Sequence, residues 1–480
     1  MNDRKGFGSN FGFLMAAVGS AVGLGNIWGF PNKMGANGGF PFLILYLALA
    51  LCCGVIIMLG ELALGRKTGH GAVGAYQSIS KRFKWLGWLG IAAAALIFSF
   101  YSALGGYCLR YVVVNFGNLI GAEFGTNGVG GADVFQGLLS QPDVSIAFAL
   151  AFMLITMLVV MSGVGGGIER VCSVGMPALF FILIICIIRS CTLPGAVDGL
   201  KYMFVPGWAV ANGIIDEAPG FWRVLTAAGG QMFFSLSLGA GVMITYGSYL
   251  DKKQDLGKST MIIVGMDTVV ALMAGLCVIP GRFALDPNGA LGGPELLFIT
   301  MQNVFDKMGP AGPVFGILFY LLVFFAAISS SISMLEVIVA HFCDKAREKG
   351  KGDRRKLYSA IVVVICAALC ALVCADGMGS NHISPAELLG LAGAKLPGWS
   401  TSWLGLFDSV AEGLLMPLGA LLMCLMISWE LKPDALRQEI LLNGENRPWV
   451  YDFFRLCVKY ITPLCMLMIL YGQISDFFIV

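Results

Sequence analysis

Long apolar segments dominate this chain of 480 residues. An α-helix needs about 20 apolar residues to cross the hydrocarbon core of a bilayer, and within lipid only helices and closed barrels satisfy their own backbone groups. Charged residues make up 12% of the chain, about half of what soluble domains carry. The sequence therefore predicts an all-α membrane protein. We predict eleven membrane spans, numbered 1 to 11 in chain order, at about residues 11–33, 40–65, 86–119, 144–163, 168–190, 221–249, 258–280, 312–342, 357–376, 404–429 and 449–474.

The distribution of basic residues predicts the orientation of the chain. With the N-terminus in the cytoplasm, 21 lysines and arginines fall on the inner side and 7 on the outer side, which is the positive-inside asymmetry. We therefore expect a plasma-membrane protein whose C-terminus, after eleven spans, lies outside. The basic run at 344–356 could bind nucleic acid or lipid, but a solvated inner loop explains it better. We expect no nucleic-acid partner.

Two spans are interrupted by poor helix formers. Span 1 contains VGSAVGLGNIWGFP (18–31), and span 6 contains FFSLSLGAGVMITYGSYL (233–250). These spans head two groups of five, at about 11–190 and 221–429, and an odd number of spans makes the two groups enter the membrane from opposite sides. Interrupted helices at matching positions of an inverted repeat indicate the binding site of a transporter. The last span would be an additional helix.

The glycines of span 1 have a second interpretation, because small residues also allow helices to pack closely in a membrane. The matching interruption in span 6 favours unwound backbone. Unwound backbone is tolerated at membrane depth where it is buried in protein or lines a cavity, and it offers carbonyl oxygens to cations and amide groups to anions.

Span 8 carries a pattern of oxygen ligands in FFAAISSSISMLE (324–336). Ala326, Ser329 and Ser330 share one helix face. A carbonyl and two hydroxyls would form the hard-oxygen ligand set that small hard cations prefer. The alternative is that each hydroxyl bonds only to a carbonyl one turn earlier in its own helix.

Two acidic residues lie within predicted spans. Asp267 is in span 7, where a carboxylate is costly and therefore indicates function. Glu61, near the end of span 2, could be a cation ligand, an interfacial acid or a structural partner of unwound backbone, and we favour the structural role. The sequence contains three histidines and no Walker, HExxH or GxSxG pattern, which argues against an enzyme and against an ATP-driven pump.

Several motifs, in order, resemble the neurotransmitter:sodium symporter family, and the resemblance extends over nearly the whole chain. They are GSAVGLGNIWGFP (19–31), NGGFPF (37–42), GELALGR (60–66), QMFFSLSLGAGVMITYGSYL (231–250) and AISSSIS (327–333). Eleven spans resemble the bacterial subgroup of this family. The resemblance implies a LeuT-type fold, with a 5+5 inverted repeat, unwound spans 1 and 6 and an eleventh helix. It also implies a sodium-coupled symporter of amino acids that works by alternating access.

The resemblance also implies ligands for two sodium ions. The first sodium site would comprise Ala21, Asn26, Ser235 and Asp267, together with the substrate carboxylate. The second would comprise the carbonyls of Gly19, Val22 and Ala326 with the hydroxyls of Ser329 and Ser330. The residues implied around the amino-acid substrate are Ala21, Gly23, Gly25, Ile97, Tyr101, Phe234, Ser237, Ala240, Ser330 and Met334. The implied inner gate pairs Arg4 with Asp344, beside Phe7 and Tyr249.

Three positions depart from the family pattern. Asp267 stands where the family often has asparagine, and its fixed charge could replace chloride, so we expect chloride independence. Gly29 stands where the family has its outer-gate arginine; the acidic partner is retained as Asp408, and we expect Lys33 to reach it instead. Ala240 leaves extra room in the pocket, which would suit a large apolar or aromatic amino acid.

Other functions remain open at this point. A channel could use the same interrupted helices, but it would not need gates on both sides. A receptor of this fold would bind an amino acid with sodium and transport nothing. A proton-coupled or sodium-independent transporter is the nearest alternative, although it should lack the serine pair of span 8. We expect a monomer or a weak dimer in the lipid bilayer.

Overall fold

The computed structural model describes residues 6–126, 128–291, 293–352, 354–390, 398–431, 433–441 and 448–478. Within these ranges the chain is helical and contains no strand. Among the described residues, nine helices are long and apolar enough to cross a membrane, and two helical pieces of span 1, bent by 43°, count as a tenth if they form one span. These features confirm an all-α membrane protein.

The nine long helices match the predicted spans other than 1 and 6. They are Phe40–Thr68, Lys81–Ile120, Pro142–Met161, Val164–Cys191, Leu256–Leu285, Gly309–Glu348, Arg355–Gly379, Trp403–Leu431 and Pro448–Ser475, which we call spans 2, 3, 4, 5, 7, 8, 9, 10 and 11. Shorter helices outside the spans include Ala72–Ile79, Gly131–Leu139, Ala196–Phe204 and Met301–Asp306. Span 8 begins three residues earlier and ends six residues later than the sequence predicted.

Span 1 is interrupted as predicted. Its first half is the helix Asn10–Ala21, after which Val22 adopts an extended conformation with φ −76° and ψ 98°. A wide, π-helical turn over Gly25–Gly29 then leads into the helix Phe30–Ala36. Val22 and Leu24 thus lie at the break and Asn26 follows it, and all three residues are buried within the protein.

Span 6 is interrupted as well. It consists of the helices Phe221–Leu236 and Val242–Gly247, each too short to cross the bilayer. Between them, Ser237, Gly239 and Gly241 have φ angles of 53°, 79° and 74°. Glycine adopts positive φ without steric cost, so the two glycines allow the chain to leave the helix and re-enter it.

The two breaks lie inside the bundle. Spans 3 and 8 pack along each other, and the first half of span 1 packs against spans 5, 7 and 8. The first half of span 6 packs against spans 2 and 11. This arrangement brings residues from spans 1, 3, 6, 7 and 8 to one central region. The division of the chain into repeats at about 11–190 and 221–429 stays a prediction.

Candidate functional site

The side chains implied for the first sodium site converge on Asp267. The Asn26 amide donates hydrogen bonds to the Asp267 Oδ1 atom (2.8 Å) and to its backbone carbonyl (3.0 Å). The Ser235 hydroxyl lies 2.9 Å from both carboxylate oxygens, and the Tyr46 hydroxyl donates to Oδ2 at 3.1 Å. Asp267 is fully buried, and it therefore links the breaks of spans 1 and 6 to spans 2 and 7.

The residues implied for the second sodium site also come together. The Ser329 Oγ atom lies 3.4 Å from the Val22 carbonyl and 3.0 Å from the Ala326 carbonyl. The Ser330 hydroxyl lies 3.3 Å from the carbonyl of Gly19. Both serines thus reach across to span 1, while Ser329 additionally makes the bond within its own helix that was the alternative expectation. Carbonyl and hydroxyl oxygens of this kind suit a small hard cation.

Span 1 passes very close to its neighbours at the implied substrate site. The Tyr101 hydroxyl accepts a hydrogen bond from the Leu24 N–H group at 2.7 Å. A Cβ atom at Gly23 would overlap both this hydroxyl and the Ser330 Oγ atom. A Cβ atom at Gly25 would lie 3.1 Å from the Phe234 ring. These contacts explain why glycine occupies both positions.

The rest of the implied substrate residues are buried around this region. The rings of Tyr101 and Phe234 contact each other edge to face, with centroids 6.3 Å apart. Ala21, Ile97, Ala240 and Met334 are buried. The Ser237 hydroxyl donates to the Ser20 carbonyl at 3.1 Å, and Ser330 donates to the same carbonyl at 3.0 Å. Ser20 was not predicted as part of the site. Its only signal in the amino-acid sequence is its position in the interrupted segment of span 1.

Polar side chains from neighbouring spans bind the unwound backbone. The buried Glu61 carboxylate accepts a hydrogen bond from the Gly239 N–H group at 2.7 Å, which is the contact expected of a structural partner. The Gln231 side-chain amide donates to the Gly25 carbonyl at 2.6 Å. Each contact satisfies a backbone group that the break leaves without a helical partner, and an unsatisfied buried group is costly.

Most of the implied inner gate is described, but Arg4 lies outside the described residues. The Asp344 carboxylate accepts a hydrogen bond from the Gly71 N–H group at 3.2 Å. Phe7 packs edge to face on Tyr249, with ring centroids 6.2 Å apart.

Tyr249 belongs to a buried charged cluster that the sequence analysis missed. Its hydroxyl donates to Glu336 at 2.6 Å, and Arg355 forms two hydrogen bonds to the same carboxylate, at 2.5 and 3.1 Å. Glu336 is fully buried. The signal for it was available, since Glu336 is an acidic residue within the apolar run of span 8, the criterion that identified Asp267.

On the outer side, Lys33 does form an ion pair, but the predicted partner, Asp408, is wrong. Lys33 pairs with Glu412, one turn further along span 10, and Asp408 lies beside both charges. Span 10 follows a wide, π-helical path over Ser409–Leu415. Glu412 lies within this wide turn, one turn after Asp408, and both acids lie near Lys33.

The possible cation ligands at the two implied sites are therefore mainly oxygen atoms, which belong to backbone carbonyls, hydroxyl groups and the Asp267 carboxylate. Within the described ranges, no group of three or more His, Cys, Asp and Glu side chains could hold a metal ion. Transition metals favour nitrogen and sulfur ligands, so the chemistry of the two implied sites suits an alkali or alkaline-earth cation.

Comparisons with known proteins agree with this geometry. The family described as "Sodium:neurotransmitter symporter family" matches residues 4–127 and 132–478. The uncharacterized sodium-dependent transporter YhdH of Bacillus subtilis (strain 168) is 36% identical over 479 residues, 97% of each chain. The sodium- and chloride-dependent GABA transporter ine of Drosophila melanogaster is 24% identical over 408 residues, which are 76% of this chain and 42% of that protein.

A solved structure is similar to this protein over almost the whole length of both chains. The crystal structure of MhsT in complex with L-phenylalanine matches with a TM-score of 0.83 and 33% identity, covering 98% of this chain and 100% of that one. The match confirms the predicted LeuT-type fold. The family that matches is one of secondary transporters and not an enzyme class, as predicted. Together with the family match, it shows that this chain is a multi-pass, sodium-dependent membrane transporter of the sodium:neurotransmitter symporter family.

Proposed function

We propose that this protein couples the inward movement of two sodium ions to the uptake of one large apolar or aromatic amino acid. The observation that carries the proposal is the convergence of two oxygen clusters, around Asp267 and around Ser329 and Ser330, on the break of span 1. Each positive charge that moves inward gains roughly 2.3 kcal/mol per 100 mV of membrane potential. This term adds to the sodium gradient.

The buried groups around Tyr101 and Phe234 support the substrate class. An amino-acid carboxylate would meet the Tyr101 hydroxyl and the backbone amides near Gly23 and Gly25, while its side chain would meet apolar groups. Ala240 leaves room for a large side chain. The similar MhsT structure contains L-phenylalanine, which favours the same class here.

The charge of Asp267 supports chloride independence. Two sodium ions and a zwitterionic substrate carry a total charge of +2, and the Asp267 carboxylate reduces it to +1 without a bound anion. One relative is named a chloride-dependent transporter, so this property must be measured for each member.

Alternating access would require gates on both sides. On the inner side we assign Arg4, Asp344 and Tyr249, and on the outer side Lys33, Asp408 and Glu412. We further propose that the N-terminus is cytoplasmic and the C-terminus outside. This orientation follows from the positive-inside asymmetry of the loops.

The first test is thermal stabilisation of the purified protein by each of the twenty amino acids, in sodium and in potassium, both without chloride. A ligand that binds only the folded state raises stability by RT ln(1 + [L]/Kd). We expect stabilisation by large apolar or aromatic amino acids in sodium only. Equal stabilisation in potassium would contradict sodium coupling, and stabilisation without uptake in proteoliposomes would identify a receptor.

A further inference from the structure

A groove of about 680 Å³ opens on the surface of the bundle between spans 2, 7 and 11. Span 2 contributes Leu51, Val55 and Leu59 to its walls, and the first turns of span 11 contribute Trp449 and Phe453. The side chains of Leu51, Trp449 and Phe453 are 57%, 62% and 47% exposed. Large exposed apolar side chains on membrane-spanning helices face the lipid, so the groove lies on the lipid-facing surface.

One end of this groove is polar. The first turns of span 7 line it with Asp255, Gly257, Lys258 and Thr260. The Asp255 carboxylate caps span 7 by accepting a hydrogen bond from the Lys258 N–H group at 3.0 Å. The Lys258 side chain is exposed. The buried Thr260 hydroxyl has no hydrogen-bond partner within the described part of the chain.

We propose that this groove holds one anionic phospholipid, with its phosphate at Lys258 and an acyl chain between spans 2 and 11. The polarity of the groove matches such a lipid. Lys258 lies at the polar end, where the Asp255 carboxylate is held by the backbone as a helix cap, and apart from Cys52 and the Thr260 hydroxyl the walls beyond it are apolar. Trp449 stands at the charged end, and tryptophan favours the membrane–water interface.

The surrounding charge supports the same occupant. Lys252 and Lys253 lie in the loop just before span 7, and basic residues close to a membrane surface attract anionic lipids. On the orientation proposed above, this end of the groove faces the cytoplasmic leaflet. The lipid site does not otherwise depend on the proposed substrate or on the sodium sites.

The lipid site can be tested by native mass spectrometry of the full-length protein with added dioleoyl phosphatidylglycerol or dioleoyl phosphatidylcholine. We expect one retained phosphatidylglycerol per chain and at least a fivefold preference over phosphatidylcholine. Lys258→Gln should lower this retention at least fivefold. Lys253→Gln, in the loop before span 7 and outside the groove lining, should lower retention by less than twofold, because this charge attracts the lipid only through the membrane-surface potential.

A second pair of variants tests the acyl-chain part of the groove. Val55→Trp should fill the space between spans 2 and 11 and release the lipid although Lys258 is retained. Val364→Trp, on the exposed face of span 9, is the matched control and should retain it. Normal elution on size exclusion and a cooperative melting transition like that of the wild type would show that each variant is folded.

Three results would overturn the proposal. Equal retention of both lipids in the wild type and in the variants would mean an unspecific lipid shell. If sn-glycerol 3-phosphate, which has no acyl chains, binds as strongly as the whole lipid, the apolar part of the groove contributes nothing to binding. If the wild-type spectra show a dimer and Val55→Trp abolishes it, the groove is the contact surface for a second copy of the chain.

Discussion

The side chains of Asn26 and Asp267 are joined by a hydrogen bond of 2.8 Å from Nδ2 to Oδ1, although they are 241 residues apart in sequence. Asn26 follows the break in span 1, and Asp267 lies in the regular helix of span 7. Ser235 donates to the same carboxylate from span 6. One buried acid thus connects both interrupted spans to the continuous helices behind them, where the first sodium ion is expected to bind.

The charge of Asp267 predicts a specific anion response. Wild-type uptake in proteoliposomes should be equal in sodium chloride and in sodium gluconate. Asp267→Asn removes the fixed negative charge, so its uptake should be low in gluconate and rise at least fivefold in chloride. Asp306→Asn, an exposed acid outside the spans, should behave as the wild type does. Chloride-stimulated uptake by the wild type would contradict the prediction.

The serines of span 8 predict a selective change in sodium affinity. Ser330→Ala and Ser329→Ala each remove a hydroxyl that faces span 1, and the sodium concentration for half-maximal uptake should rise about tenfold, equivalent to about 1.4 kcal/mol. Ser331 lies on the same helix, but its hydroxyl contacts Thr156 at 2.8 Å. Ser331→Ala is therefore the control, and an equal loss of sodium affinity in it would argue against the second site.

The ion pair of Lys33 and Glu412 predicts that removing the lysine charge impairs transport, and that also removing the Glu412 charge restores part of it. Lys33→Gln leaves two carboxylates beside each other, and we expect uptake to fall at least fivefold while sodium-dependent substrate binding is retained. The double variant with Glu412→Gln should recover part of the uptake, because interacting residues are not additive. Lys201→Gln, which alters an exposed ion pair, should have no effect. Normal uptake by Lys33→Gln would rule out a role in the outer gate.

The buried ion pair of Glu336 and Arg355 predicts a large effect on stability. Arg355→Met would leave the Glu336 charge buried without its partner, which typically costs about 3–5 kcal/mol. Combining it with Glu336→Gln should restore much of the loss, since the double variant leaves no buried charge. Thermal melting in detergent measures both changes, with the exposed neighbour Arg354→Met as control. A small effect of Arg355→Met alone would mean that water or another group compensates.

Much of the architecture could be predicted because membrane physics acts on local sequence. The length of an apolar run determines whether a helix crosses the bilayer, and clustered glycines and serines show where that helix is interrupted. The breaks at Val22–Leu24 and Ser237–Gly241 were therefore visible as patterns. Asp267 was visible for the same reason, since a carboxylate in a span requires compensation.

Tertiary structure decided which partners these groups meet. Lys33 pairs with Glu412, while Asp408, one turn earlier in span 10, lies beside both charges, and the local sequence does not distinguish between these two acids. Arg355 and Tyr249 both meet Glu336 through the packing of spans 8 and 9 and the inner end of span 6. The sequence by itself determined the class of protein, the spans and the positions of the breaks, because these depend on hydrophobic length and backbone freedom. The ion pairs and the lipid-facing groove depend on how helices rotate and pack against each other, which only the folded chain determines.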